Sequence, residues 1–499
     1  MAKRSATEVI GSNEGQAFPK VPATGGDAPR RSISLDEMGE FEDEWEDELE
    51  SDGEIVDGDE NEDDEDGSKM EVDEEVTQAV EDEDEAPPAP DVYLPGHKLA
   101  EDEVLEADQS VYEMLHQMNV PWPCLSFDIL RDNLGDNRQM YPATAYVITG
   151  TQAEVASKNE VMVMKMTRMH KTQKDDADSD ASDNDDSDAE EEDAVLDYRS
   201  IPHMGGVNRI RAQPLPSLPA PTASYHAATW SETGKVHIWD VRPLIESMDV
   251  PGYVAPKSRT SKPIHTINQH GRTEGFGLDW GSSIGGLRLL SGDLNGRIFL
   301  TNATQSGFAT SQAPFTDHTA PVEDIQWSPS ETTVFASCSS DKSVRIWDVR
   351  SKGRKSAAQI VRAHESDVNV MSWNRGTTYL LATGGDEGGI KIWDLRNLKG
   401  AASKPPSPVA HFTWHTAPIT SIEWHPSEDS IFAASGSDDQ VTLWDLSVEQ
   451  DEDEVGTKEI HTANGGKLKD VPSQLLFVHQ GQTDVKEIHW HPQIPGLKR

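Results

Sequence analysis

The chain has 499 residues, a formal net charge of -47 and two cysteines. Cys124 and Cys338 cannot build a disulfide framework, and both sit in apolar strand-like runs, which favours a reducing intracellular compartment. No run approaches the roughly 18 apolar residues of a membrane helix, and the net charge argues against a direct nucleic-acid binder, which needs clustered lysine and arginine.

Length alone would suggest about three ordinary domains, but the charge is unevenly placed. Asp36 to Glu85 holds 29 acids and one base, Asp175 to Asp193 holds 12 acids and no base, and Glu449 to Glu454 holds 5 acids. These segments carry nearly all of the net charge, so the rest of the chain is close to neutral. Residues 1–90 are poor in apolar side chains and rich in Glu, Asp, Gly, Ser and Pro. Such a composition cannot bury enough surface to offset the entropy of ordering, and a disordered acidic region is expected. Phe41, Trp45, Leu49 and Ile55 are spaced among its acids, a composition suited to shielding a very basic partner.

After Pro87, Pro88 and Pro90 the pattern changes. Residues 91–122 read as an entry segment with one short helix: Ser110 and Glu113 have capping-box spacing, and Val111, Met114, Leu115 and Met118 share one helical face. Pro121 and Pro123 must end it. Residues 123–499 begin with strand-like alternation over Cys124 to Leu130, and Thr144 to Thr149 with Glu160 to Met166 complete a first unit. The next loop opens basic, at Lys165, Arg168, Lys171 and Lys174, and becomes the acidic insert 174–194. Ser182 and Ser187 lie in it with an acid three residues downstream, a context that acidophilic kinases favour. A phosphate at either would add up to about two negative charges.

His203 opens a unit that ends at Trp239 and Asp240. Then come four nearly superimposable stretches. His318, Trp327, Asp341 and Trp347 stand at relative positions 0, 9, 23 and 29, and so do His364, Trp373, Glu387 and Trp393, and His415, Trp424, Asp438 and Trp444. His270 precedes Asp293 and Phe299 at the same two longer intervals. Such a period, closing on Trp-Asp, is the signature of the WD-repeat β-propeller, with four short strands per blade. Val322 to Trp327, Val334 to Ser339 and Val344 to Trp347 are legible strands. One hydrogen-bonded network per blade is expected, with His318, Ser339, Asp341 and Trp347 as members in the fourth; because these residues recur with the period, they read as structural. After the acidic loop 449–472, Leu475 to His479 leads to Val485 to Trp490, the expected first inner strand of a seventh blade whose last two strands the sequence does not contain. The fold class expected is therefore all-β: a seven-bladed propeller, its last blade incomplete, with a short N-terminal helix and an acidic N-terminal region.

No nonrepeating Ser/His/Asp, Cys/His or glycine-rich phosphate-binding set is present, so no catalytic or cofactor residue is assigned. His489 and His491 alternate along a strand without further ligands nearby and do not make a metal site. Glu274, Asp367 and Asp484 each stand just before the first inner strand of a blade, where propeller loops converge on a central face. They are the candidate partner-binding acids.

Leu94-Pro95-Gly96, Pro123 to Asp128, Gly150-Thr151-Gln152, Gly205 to Arg211 and Leu475 to Gln482, with the acidic insert, resemble the glutamate-rich WD-repeat proteins over residues 90–499. The resemblance implies a nuclear and nucleolar chaperone of large-subunit ribosomal protein three. It is also akin to histone-binding WD proteins, which hold a basic helix between an N-terminal helix and a late acidic loop. The corresponding pieces look like Val111 to Met118, with Val111 and Leu115, and the acids Asp451, Glu452, Asp453 and Glu454. The expectation is a monomeric, non-enzymatic holder of a basic protein client, with no cofactor, no direct nucleic acid and no membrane. A histone-binding chaperone or chromatin-complex component is the alternative, and a multi-protein scaffold is a third.

Overall fold

The computed structural model describes residues 111–172, 193–217, 223–281, 286–400, 406–448 and 471–495. Acidic segments 36–85 and 449–454, with Asp451, Glu452, Asp453, Glu454, Ser182 and Ser187, lie outside them. Within the described residues the chain forms six four-stranded sheets, and every pairing is antiparallel. This is an all-β WD-repeat propeller.

The innermost strands are Cys124–Leu130, Val207–Ala212, Leu278–Gly281, Val322–Trp327, Val368–Trp373 and Ile419–Trp424. In the fourth sheet, strands Val322–Trp327, Val334–Ser339 and Val344–Asp348 match the sequence reading, and Ala358–Ile360 adds the outer strand. Alternation of apolar and polar residues lets each strand face a neighbouring sheet. The core therefore lies between sheets: Ala336, Cys338, Val344 and Ile360 of the fourth pack with Val368, Met371 and Leu381 of the fifth. Trp230, Trp347 and Trp444 are fully buried.

Five of the six inner strands carry a register shift at their second residue, for example between Val322 and Asp324 and between Val368 and Val370. A bulge there re-aims one side chain toward the strand's end. The residues so placed include Asn208, Glu323, Asn369 and Thr420.

Neighbouring inner strands are joined by a recurring bond in which a side chain of one accepts a backbone N–H of the next. Asp128 takes Ala212 at 2.8 Å, Asp279 takes Trp327 at 2.7 Å, Gln326 takes Trp373 at 2.8 Å and Ser372 takes Trp424 at 3.2 Å. The C-terminal stretch continues the series. Glu423 accepts from Trp490 at 2.8 Å, and Glu487 accepts from Phe127 of the first sheet at 2.8 Å. The indole N–H groups of Trp280, Trp327, Trp424 and Trp490 likewise each reach a carbonyl one sector back.

The expected helix over Val111 to Met118 is absent. Only Val111 has 3-10 geometry, and Glu113 to Met118 are irregular. The backbone is satisfied elsewhere: Thr172 N–H donates to the Glu113 carbonyl and Leu115 N–H to the Thr172 hydroxyl. A segment whose polar groups are taken by the end of the first sheet has no need of i to i-4 bonds. Met114 and Met118 instead pack on Ala143, Ala145 and Met169.

Candidate functional site

Each inner strand begins on the face that carries the histidine loops and the turns between second and third strands. His318 Nδ1 lies 2.9 Å from Asp341 and its Nε2 2.7 Å from the Ser337 hydroxyl, to which the Trp347 indole also donates at 2.8 Å. Ser337, two residues earlier than expected, is thus the shared hydroxyl. Ser339 sits at the strand end and takes the Asp341 N–H instead. His364 with Glu387, Thr383 and Trp393 repeats the arrangement, as does His415 with Asp438, Thr442 and Trp444. In the third sheet Phe299 has no N–H to give, and His270 bonds Asp293 and Ser291 alone. Burial holds His318 and His364 below the ordinary imidazole range, with their acids partly offsetting it. These networks fix the loops on this face rather than react.

On the same face Glu274, Asp367 and Asp484 occupy the expected positions, and further acids stand beside them. Asn208 donates to Glu274 at 3.1 Å. Asp386 N–H donates to the Asp367 carbonyl at 3.0 Å, and Asn369 holds the Asp386 carboxylate at 3.0 Å. Glu323 accepts from Ser340 at 2.8 Å; burial raises its pKa, and the charge of Asp367 raises it further. Asp484 N–H donates to Asp439, while the Asp484 carboxylate pairs with Lys486. The rim therefore gathers Glu274, Glu323, Asp367, Asp386, Asp439 and Asp484 against one nearby ammonium. Glu323, Asp386 and Asp439 were missed from sequence because they lie inside a strand or in the second turn; the bulge that aims Glu323 has no sequence signal of its own.

Val111 is half exposed, and Leu115 is tied to Thr172 at the edge of the first sheet. The structure thus does not form the proposed groove from a helix here, and its acidic side falls outside the described residues.

Below the rim runs a central channel of about 470 Å³, lined among others by Asp128, Arg209, Arg211, Asp279, Asp324 and Glu423. Arg209 and Arg211 converge on Glu487 at 2.9 and 2.7 Å. Although burial opposes ionisation, Arg211 and His489 hold Glu487 well below the usual carboxylate range. His489, which burial would lower, is pushed up to about 10 by Glu423 and Glu487. Asp279, buried and near Asp324, is raised to about 7. His491 Nδ1 accepts from the backbone of Gln493 and Ile494. Among the described residues no group of three metal-ligating side chains is assembled.

Residues 102–170 match a family described as histone-binding protein RBBP4 or a component of the CAF1 complex, and residues 309–348, 356–394 and 406–445 match the WD domain, G-beta repeat family. The ribosome assembly protein rrb1 of Schizosaccharomyces pombe is 47% identical over 99% of this chain and 96% of its own length. Protein HEAT STRESS TOLERANT DWD 1 of Arabidopsis thaliana is 46% identical over 81% of this chain and 88% of its own. Glutamate-rich WD repeat-containing protein 1 of Dictyostelium discoideum is 46% identical over 80% of each.

Proposed function

We propose, from the premise that this chain belongs to the family of the ribosome assembly protein rrb1 and the glutamate-rich WD-repeat proteins, that it is a ribosome-assembly chaperone which binds a basic protein client without catalysis. The observation that carries this is 47% identity to a protein named for ribosome assembly, extending over 99% of the chain. The client in this reading is a large-subunit ribosomal protein, held in the nucleus and nucleolus by a monomer.

The acidic rim is the proposed contact surface, with Glu274, Asp367 and Asp484 joined by Glu323, Asp386 and Asp439. Carboxylates around a concave mouth attract lysine and arginine, and the acidic segments extend that attraction and raise the capture rate. A client whose cations are already paired cannot displace phosphate counterions, so premature contact with RNA is blocked. Phosphate on Ser182 or Ser187 would strengthen the field. We also read the stretch Val485 to Trp490 as the inner strand of a seventh sector, supported by the two bonds through which it continues the ring.

A second reading, a histone chaperone, is favoured by the match of residues 102–170 to a histone-binding family, with Val111, Leu115 and Asp451 to Glu454 as its contacts. A scaffold is the third. Affinity purification of the full chain from nuclear extract at low and high salt distinguishes them. One large-subunit ribosomal protein, reduced at high salt, supports the chaperone. Stoichiometric histones favour the second reading, and salt-insensitive neutral or acidic partners favour the scaffold.

A further inference from the structure

The ring closes by a device unlike its other joints. Each of the six inner strands is laddered to the second strand of its own sheet. From Val485 to Pro492, among the described residues, no backbone-to-backbone hydrogen bond joins the stretch to another strand. It is held by side chains alone. Toward the first and second sheets Glu487 accepts from Phe127 N–H at 2.8 Å and pairs with Arg209 and Arg211. Gln493 next to it brackets Asp132, accepting its N–H at 2.9 Å and donating to its carbonyl at 3.2 Å. Toward the sixth sheet Trp490 gives both its N–H groups to Glu423 and its ring meets His425 at 4.6 Å.

We propose that Val485–Pro492 is a clasp: side-chain bonds from Glu487 and Trp490 hold the propeller shut, and the ring opens locally between the sixth sheet and the first when they are lost. A ladder spreads its strength over many backbone bonds, whereas this joint concentrates it in one carboxylate with four neighbours and one indole. The Glu487 side chain is 3% exposed, so salt screens it little. The clasp therefore holds at ionic strengths that weaken a client's attraction to the rim, and opening it exposes the flank of the channel without unfolding the sheets.

The test is hydrogen exchange of the full chain, read on peptides that contain Phe127, Arg138 and Trp490 and on the fourth and fifth inner strands as reference. In Glu487→Gln the first group should exchange roughly a hundredfold faster or more, as removal of one partner of a buried ion pair implies, with the reference strands unchanged. Trp490→Phe, measured alongside, keeps the ring on His425 and removes only the indole bond to Glu423. It should accelerate the same peptides by a smaller factor, and its result stands if Glu487→Gln does not fold. Equal acceleration of all six sheets in the variants, or none in any, would overturn the clasp. Neither readout involves a client, so failure here is separable from failure of the chaperone reading.

Discussion

The Asp484 backbone N–H donates to the Asp439 carboxylate, fixing two acids side by side on the histidine face. Lys486 pairs with one of them, yet the Asp484 side chain is still 75% exposed. Glu323 and Asp367 make a second such pair, close enough that the charge of one raises the pKa of the other. A rim of this kind gains free energy when cations arrive. Glu274→Lys combined with Asp367→Lys should weaken a basic client by roughly tenfold or more and flatten the salt dependence, as titration at several salt concentrations would measure. Unchanged affinity would move the contact away from this face.

The blade networks predict a contrast in stability. Asp341→Ala removes the acceptor of His318, Thr319 and Ser343 at a site 7% exposed, and should cost about 2–4 kcal/mol in denaturant unfolding. The Asp348–Arg350 pair one strand later is open to solvent, with the arginine 70% exposed. Arg350→Ala should leave the midpoint unchanged, since exposed ion pairs contribute little.

Acid should destabilise the propeller in two stages. Burial keeps His203, His270, His318 and His364 below the ordinary imidazole range and takes His237 down to about 4. These rings stay neutral in the fold, while the unfolded chain takes up protons once pH drops below about 6.5, so stability falls with pH from there. Burial would raise Asp341 and Glu387, but hydrogen bonds from His318 and from Ser366 outweigh it, and Glu387 reaches about 2. Their contribution is complete above the unfolded carboxylate range near pH 4 and disappears as pH approaches the folded values. The melting temperature should decline between pH 7 and 5 and more steeply below 4; a flat profile over both ranges would contradict these assignments.

Two glycines with similar backbone angles should respond differently. Gly388 has φ +77, and an added Cβ would stand 2.6 Å from the His415 carbonyl oxygen, whereas Gly252 has φ +80 and open space around it. Gly252→Ala should cost about 1 kcal/mol, the left-handed penalty alone. Gly388→Ala should cost measurably more, because a backbone carbonyl bearing on the histidine loop must shift.

The sheets were legible because their signals are local and repeated: His318, Asp341 and Trp347 lie within 30 residues, and three further units copy them. The segment after Val111 was not. Methionines 114 and 118 satisfy a helical spacing and an irregular path equally well, and the choice is made by Thr172, far along the chain. Glu487 with Arg209 and Arg211 was illegible for the same reason, since a pair about 280 residues apart leaves no mark on local pattern. The rim was half visible: acids preceding inner strands follow the repeat, whereas Glu323 depends on a bulge and Asp439 on the turn it shares with Asp438.

The most direct test of the account is a titration of the purified full chain with a purified basic large-subunit ribosomal protein, at low and high salt, beside the Glu274→Lys, Asp367→Lys variant. The account predicts a one-to-one complex that weakens as salt rises and weakens further in the variant, and in which the ribosomal protein no longer binds RNA. Binding that ignores both salt and rim charge, or a complex that still takes up RNA, would contradict it.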